Sequence, residues 1–266
     1  MKNLNILLTN DDGLTSHGMV HLENELRSFA NVWAVAPDRE RSATSQAISI
    51  RDTLRLTQMS ERHFMVNGFP ADCVNVALYS KKFPKFDLVI SGINHGVNLG
   101  DDVHYSGTVG AARHAAVHGI KAVSVSCPIR DHGGDFRRVA SWLRLWISEN
   151  HENLKTRIVY NINFPEENSV KINDPFPDTE ITMHGKRRYV DSYEAIEEGE
   201  DYWIFRLEET ILGFDKEEGT DFHALKNGKI SITPLSLQTS HQDEMNLWKS
   251  KKQKMKIENM QSSNVY

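Results

Sequence analysis

Leu4-Asn5-Ile6-Leu7-Leu8-Thr9-Asn10-Asp11-Asp12-Gly13 is the stretch on which the fold turns. Leu4 to Leu8 reads as a buried strand, and the polar residues after it as the loop leaving its carboxyl end. In open α/β sheets ligands bind outside the carboxyl ends of the strands, so Asp11 and Asp12 stand where function is expected. Two neighbouring carboxylates that both stay ionised repel each other, and a cation between them or a raised pKa on one relieves the strain. A divalent metal is the simpler expectation. The competing reading makes one aspartate a helix cap and the other a solvated turn residue.

Outward from this stretch the βα pattern repeats. Met19, Leu22, Leu26 and Phe29 recur at helical spacing, and Val32 to Ala36 reads as a second strand ending at Pro37-Asp38. Residues 47–66 alternate apolar and polar side chains, as extended strands or a hairpin beside the sheet would. Pro70 opens a helix with Ala71, Val74 and Leu78 on one face, and Asp87 to Ser91 follows as a strand. A glycine-rich loop then leads to an alanine-rich helix, Val109 to His118, stopped by Gly119. Lys121 to Cys127, a helix through Phe136, Val139, Leu143 and Trp146, and Ile158 to Ile162 complete the series. The expected fold is α/β: a Rossmann-like, doubly wound, mostly parallel sheet over 1–164, with a β-rich extension over 165–248 and a polar tail over 249–266. The extension holds β-like stretches at Glu180 to Met183, Tyr202 to Leu207 and Ile230 to Thr233, and the lysines at 249, 251, 252, 254 and 256 read as a solvated tail.

A chain of 266 residues that is 39% hydrophobic can bury a substantial core. Net charge of -5 and a pI near 6.2 argue against a nucleic-acid polymer as partner. Cys73 and Cys127 lack the spacing of a zinc or redox motif and read as buried thiols. With neither a signal-like start nor an apolar run of membrane-spanning length, a cytoplasmic protein that does not engage a membrane is expected.

Four loops leaving strand ends carry residues that bind metal or phosphate: Asn10-Asp11-Asp12; Pro37 to Ser45; Ser91 to Asp102; and Ser106-Gly107-Thr108. The last stands at the start of the alanine-rich helix, where free N–H groups and the positive dipole end form an anion site; its plain alternative is an ordinary helix cap. Arg39 and Arg41 either pair with Asp38 and Glu40 or steer a phosphate. Asp72 either serves the first turn of its helix or faces a ligand. His95 and His104 read as solvated loop residues, and His114 and His118 as surface or interface side chains. GxGxxG is absent after the first strand, which argues against a dinucleotide oxidoreductase.

The chain resembles the SurE-type survival-protein nucleotidases, metal-dependent phosphatases of nucleoside monophosphates. The resemblance runs from the first strand to about residue 245, through Asn10-Asp11-Asp12-Gly13, Ala36-Pro37-Asp38-Arg39 with Arg41-Ser42, Gly68 to Cys73, and Ser91-Gly92-Ile93-Asn94. It continues through Asn98 to Asp102 and Tyr105 to Val109, with weaker echoes in Gly219-Thr220-Asp221 and Ile232 to Leu235. It implies metal ligands at Asp11, Asp12, Ser42 and Asn94 for one magnesium or manganese ion per subunit, and phosphate contacts at Asn98, Ser106, Gly107 and Thr108. Asp11 and Asp12 are then catalytic, Asp11 either activating a water or attacking phosphorus itself. The implied activity is hydrolysis of nucleoside 5'-monophosphates, with 3'-monophosphates and short polyphosphate as further substrates. A non-enzymatic nucleotide or phosphate sensor is the alternative on the same fold. The resemblance also implies a homodimer or homotetramer that exchanges its C-terminal arm, and an interface role for His241. The general acid is left unassigned among His95, His104 and His241.

Overall fold

A computed structural model describes residues 4–128, 136–166 and 176–262. β1 (Leu4–Thr9), α1 (His17–Leu26) and β2 (Ala30–Pro37) form the first βαβ unit, with β1 and β2 parallel. β3 (Leu56–Ser60) and β4 (His63–Val66) are an antiparallel hairpin, and β4 joins β2 in parallel. After α2 (Pro70–Tyr79), β5 (Leu88–His95) returns to the other side of β1, with Thr9 opposite Ser91. A short 3-10 helix, Gly100–His104, leads into α3 (Gly107–Val117), and β6 (Lys121–Cys127), α4 (Phe136–Asn150) and β7 (Ile158–Asn163) extend the sheet in parallel.

The sheet has nine strands in the order β3-β4-β2-β1-β5-β6-β7-β11-β8, where β8 is Thr179–Ile181 and β11 is Ile230–Ser236. Strand order therefore reverses at β1, and the loops after β1 and β5 open into the crevice where doubly wound sheets bind ligands. The central strands are apolar because both faces are covered: Ile6, Leu7, Leu8, Val89 and Ile90 are fully buried. α1 packs with α4 on one side, where Leu22, Leu26, Leu143 and Ile147 are fully buried. α2 and α3 pack together on the other. The alanine face of α3 is buried as its composition requires, Ala111, Ala112, Ala115 and Ala116 being fully inaccessible.

Beyond β7 the structure is less uniform than a separate β-rich region. β8 and β11 pair in parallel at the far edge of the main sheet, with α5 (Asp221–Lys226) between them in sequence. β9 (Arg187–Glu198) and β10 (Trp203–Phe214) form their own antiparallel ribbon. β9 lay outside the strand expectations because its Arg-Arg-Tyr…Glu-Glu run lacks an apolar face. Residues 236–266 form a second compact unit. In it the segment expected as a solvated tail is helical, α6 running from Gln242 to Ser262 with its described side chains exposed. His241 Nδ1 accepts from the Glu244 N–H at the start of that helix, 3.3 Å away.

Both cysteines are buried and neither forms a disulfide, as their spacing implies. His114, expected as a surface or interface side chain, lies within the chain instead. It is buried, its Nδ1 lies 3.3 Å from Gln46 Nε2, and burial lowers its pKa. The reason is that α3 is covered along most of its length, so helical spacing alone does not distinguish a solvent-facing imidazole from one under a loop.

Gly110 shows how closely α3 approaches that loop. A Cβ there would lie 2.0 Å from the Ser45 carbonyl oxygen. Alanine in a helix interior gains up to about 1 kcal/mol in propensity over glycine. Overpacking against backbone costs about 1–3 kcal/mol, so the clash should win. Gly110→Ala is expected to lower unfolding stability in urea; an unchanged or raised midpoint would refute this packing.

Candidate active site at the β1 and β5 strand ends

Asn10 organises the β1 loop. Its side-chain amide donates to the Gly13 carbonyl at 2.9 Å and to Ser16 Oγ at 2.7 Å, while its Oδ1 accepts from the Gly13 N–H. Ser16 in turn caps α1. Asn10 is thus fully used in shaping the turn, and neither aspartate serves as the cap of α1. Asp11 and Asp12 are presented side by side at the top of the sheet, Asp11 buried and Asp12 half-buried.

Three further segments close on this pair. The Arg41 N–H donates to the Asp11 carbonyl at 2.8 Å, which holds the second loop against the first. The His95 backbone, at the end of β5 beside Asn94, stabilises charge on the Asp12 carboxylate. Thr108, in the first turn of α3, donates its hydroxyl to Asp11 Oδ1 at 2.5 Å. Glycine at 107 permits this approach, since a Cβ there would meet Asp11 Oδ2 at 2.9 Å.

The electrostatics follow from this crowding. Burial is the largest influence on both carboxylates and raises both; Asp12 is pushed up to about 7, with Asp11 and Glu40 adding repulsion. The Thr108 hydroxyl and the His95 backbone act in the opposite sense, by stabilising charge. A desolvated acidic pair with a third carboxylate in Coulomb reach suits a cation. Asp11, Asp12, Ser42 and Asn94 offer oxygen donors of the kind that hard divalent ions take. Ser42 is exposed and donates to Glu40 Oε1 at 2.7 Å; Asn94 donates its amide to the Gly96 carbonyl at 2.8 Å, a geometry that holds the side chain and reserves Oδ1 as its acceptor.

The residues expected to touch phosphate divide into two groups. Ser106 caps α3 by accepting from the Val109 N–H at 3.1 Å, and Gly107 and Thr108 form the first turn, whose N–H groups have no partner within the helix. Asn98 instead sits in a buried polar bracket. Its N–H donates to Asn163 Oδ1, its amide to Ser126 Oγ, and its carbonyl accepts from Asn161 and Asn163. Asn98, Asn161, Asn163 and Ser126 together fix the glycine-rich loop to β6 and β7. The bracketing partners were missed in the sequence, although the alternation Asn161-Ile162-Asn163 at a strand end was the available signal.

The remaining candidates resolve by contact. Arg41 bridges to Asp38 at 3.3 Å and lies over the Phe69 ring, while Asp72 accepts from the Phe69 N–H and from both the N–H and hydroxyl of Ser49, which is the structural role. Of the three imidazoles, His95 belongs to the loop touching Asp12. Asp221, in the weaker echo Gly219-Thr220-Asp221, is buried and accepts from the Gly100, Gly185 and Phe222 N–H groups.

With this geometry in place, the family described as Survival protein SurE matches residues 6–191. A protein of Leptospira interrogans serogroup Icterohaemorrhagiae serovar copenhageni, named 5'-nucleotidase SurE, is 47% identical over 234 residues, covering 88% of this chain and 92% of its own. A Geobacter sulfurreducens protein of the same name is 38% identical over 250 residues, covering 93% of each. The crystal structure of the SurE protein from Aquifex aeolicus superposes with a TM-score of 0.78 at 30% identity, over 93% of this chain and 99% of that one. The matched span of residues 6–191 includes the paired aspartates and the loops around them, and this chain belongs to the SurE survival-protein family.

Proposed function

We propose that this chain is a divalent-metal-dependent 5'-nucleotidase that removes phosphate from nucleoside 5'-monophosphates. The observation that carries the reading is the Asp11–Asp12 pair, with Asp11 buried and set directly against the N-terminus of α3 and Asp12 half-buried beside it. A binder of phosphate alone gains little from two carboxylates beside an anion, which weighs against the sensor reading. The names of the relatives point the same way.

Asp11, Asp12, Ser42 and Asn94 would hold magnesium or manganese, one ion per subunit, and when bound it supplies positive charge against the phosphoryl group. The first-turn N–H groups at Gly107 and Thr108 hold phosphoryl oxygens, and charge growing on those oxygens is stabilised there without reorganisation. The Ser106 hydroxyl, whose oxygen caps the helix, retains its proton to donate. Asn98 acts here by holding the loop: its buried bonds to Ser126, Asn161 and Asn163 keep the segment before α3 in place beside the phosphate. The Thr108 hydroxyl fixes the Asp11 carboxylate, and Asp11 takes the proton from a water attacking in line. Recognition centred on phosphate extends the substrate range to 3'-monophosphates and short polyphosphate. Two buried thiols fit a cytoplasmic setting.

The ribbon of β9 and β10 supports the arm as an element of assembly. Tyr193, Trp203, Phe205 and Leu207 are exposed on it, and a two-stranded hairpin is marginal alone in water. Pairing with a second copy, as a homodimer or homotetramer with exchanged arms, would cover these side chains.

Asp12→Asn is expected to bring metal-supported phosphate release from AMP or GMP to background with an unchanged circular dichroism spectrum; wild-type turnover would remove this site from consideration. Thr108→Val, which keeps shape but loses the donor to Asp11, is expected to lower kcat by about a hundredfold. Rapid quench of turnover with radiolabelled substrate should trap no phosphoenzyme, and a captured aspartyl-phosphate would overturn the water mechanism. Trp203→Glu combined with Phe205→Glu should shift the light-scattering mass from oligomer to monomer. A wild-type monomer at micromolar concentration would refute the assembly.

A further inference from the structure

Away from the aspartate pair, Asp101, His104 and His184 bring one oxygen and two nitrogen donors together, each able to present a ligand atom within 4.8 Å of the others. Asp101 and His104 are three residues apart on the 3-10 helix, where side chains at that spacing eclipse. His184 comes from the segment between β8 and β9. The two imidazole rings face each other at 5.7 Å with a 38° tilt, and His184 Nε2 lies 4.0 Å from Asp101 Oδ1.

We propose that Asp101, His104 and His184 form a second metal site, selective for a borderline transition ion such as zinc and clamping the loop before α3 to the base of the arm.

A second set of contacts holds the backbone as such a site requires. The Asp221 carboxylate accepts from the Gly100 N–H at 2.8 Å through one oxygen and from the Gly185 N–H at 3.0 Å through the other. Gly100 begins the 3-10 helix that carries Asp101 and His104, and Gly185 follows His184. One buried carboxylate therefore fixes both ligand-bearing segments. The Met183 N–H, donating to the Gly219 carbonyl at 2.8 Å, anchors the chain on the other side of His184. Asp101 Oδ2 accepts from the Arg187 N–H at 3.2 Å, which orients the carboxylate and turns Oδ1 toward His184.

Donor chemistry sets the selectivity. Two imidazoles with one carboxylate favour zinc, nickel, cobalt or copper over magnesium, whereas the all-oxygen set around Asp11 and Asp12 favours magnesium or manganese. Metal–ligand bonds of about 2.0–2.2 Å in a tetrahedral zinc site place ligand atoms about 3.3 Å apart. Closing from the present spacing takes rotation of the exposed His104 side chain together with a small approach of His184 Nε2 to Asp101 Oδ1 from 4.0 Å. A water would complete the coordination. This site rests on its own residues and stands whether or not the chain hydrolyses nucleotides.

The test uses the tag-free full chain, stripped of metal and then saturated with magnesium. Calorimetric titration with zinc should show one ion per chain in the wild type and equally in Asp12→Asn. His184→Gln and His104→Gln should each weaken that binding by about tenfold or more. Cobalt in place of zinc should give a visible absorption band in the wild type and in Asp12→Asn, lost in both histidine variants. Zinc should also raise the thermal midpoint of the wild type but not of those variants. Failure to take up zinc beside magnesium, or binding untouched by either histidine substitution, would overturn the site. Loss of binding in Asp12→Asn would overturn it too, by assigning zinc to the aspartate pair. His104 is exposed, so His104→Gln keeps the test valid even if His184→Gln perturbs the fold.

Discussion

The burial of the Asp11 carboxylate against the first turn of α3 is the constraint on which the site depends. An ionised group taken from water costs several kcal/mol unless it is compensated. Here the compensation is partial: a hydroxyl from Thr108 sits on one oxygen and a glycine at 107 lets helix and carboxylate approach, while Glu40 adds repulsion and Asp11 in turn raises its neighbour Asp12. A fold that keeps such an arrangement holds in place what a cation and a phosphoryl group would neutralise together. The helix N-terminus and the acidic pair are complementary halves of one electrostatic problem, the first suited to an anion and the second to a cation.

Holding these halves in register falls to polar networks outside the site. Asn98, Asn161, Asn163 and Ser126 tie the glycine-rich loop to the carboxyl ends of β6 and β7, with every bond between buried groups. Asp221 does the same from the C-terminal side by gathering three backbone N–H groups into one buried carboxylate. Such networks are costly when half made and rigid when complete, which suits a loop that must not drift from the aspartates. The family echo around Gly219-Thr220-Asp221 thus has a structural explanation: Thr220 caps α5 while Asp221 grips the loop that leads to α3.

The alternation of buried strands with amphipathic helices was legible because it reflects a single periodic requirement, burial on both faces of a parallel sheet. The position of Asp11 and Asp12 at the carboxyl end of β1 was legible as well, since an apolar run followed by polar residues marks where a buried strand ends. The less legible parts were those in which one residue serves a distant partner. The structural bonds of Asn98 could not be read from its loop, because their partners lie 28 and 65 residues away in sequence. His114 reads as a surface or interface residue of a small-faced helix, yet a loop covers it. β9 reads as polar and irregular because its ribbon has no sheet beneath it to demand an apolar face.

By itself, then, the sequence determined the doubly wound core, the strand end that bears the acidic pair, and the donor types available there, because periodicity and local chemistry are written residue by residue. Tertiary structure alone decided that β8 and β11 extend the main sheet while β9 and β10 leave it, that Thr108 rather than Ser106 grips Asp11, and that His184 meets His104 and Asp101. These are encounters between segments many residues apart, fixed by strand order and by the close approach of backbones, and no local pattern records them.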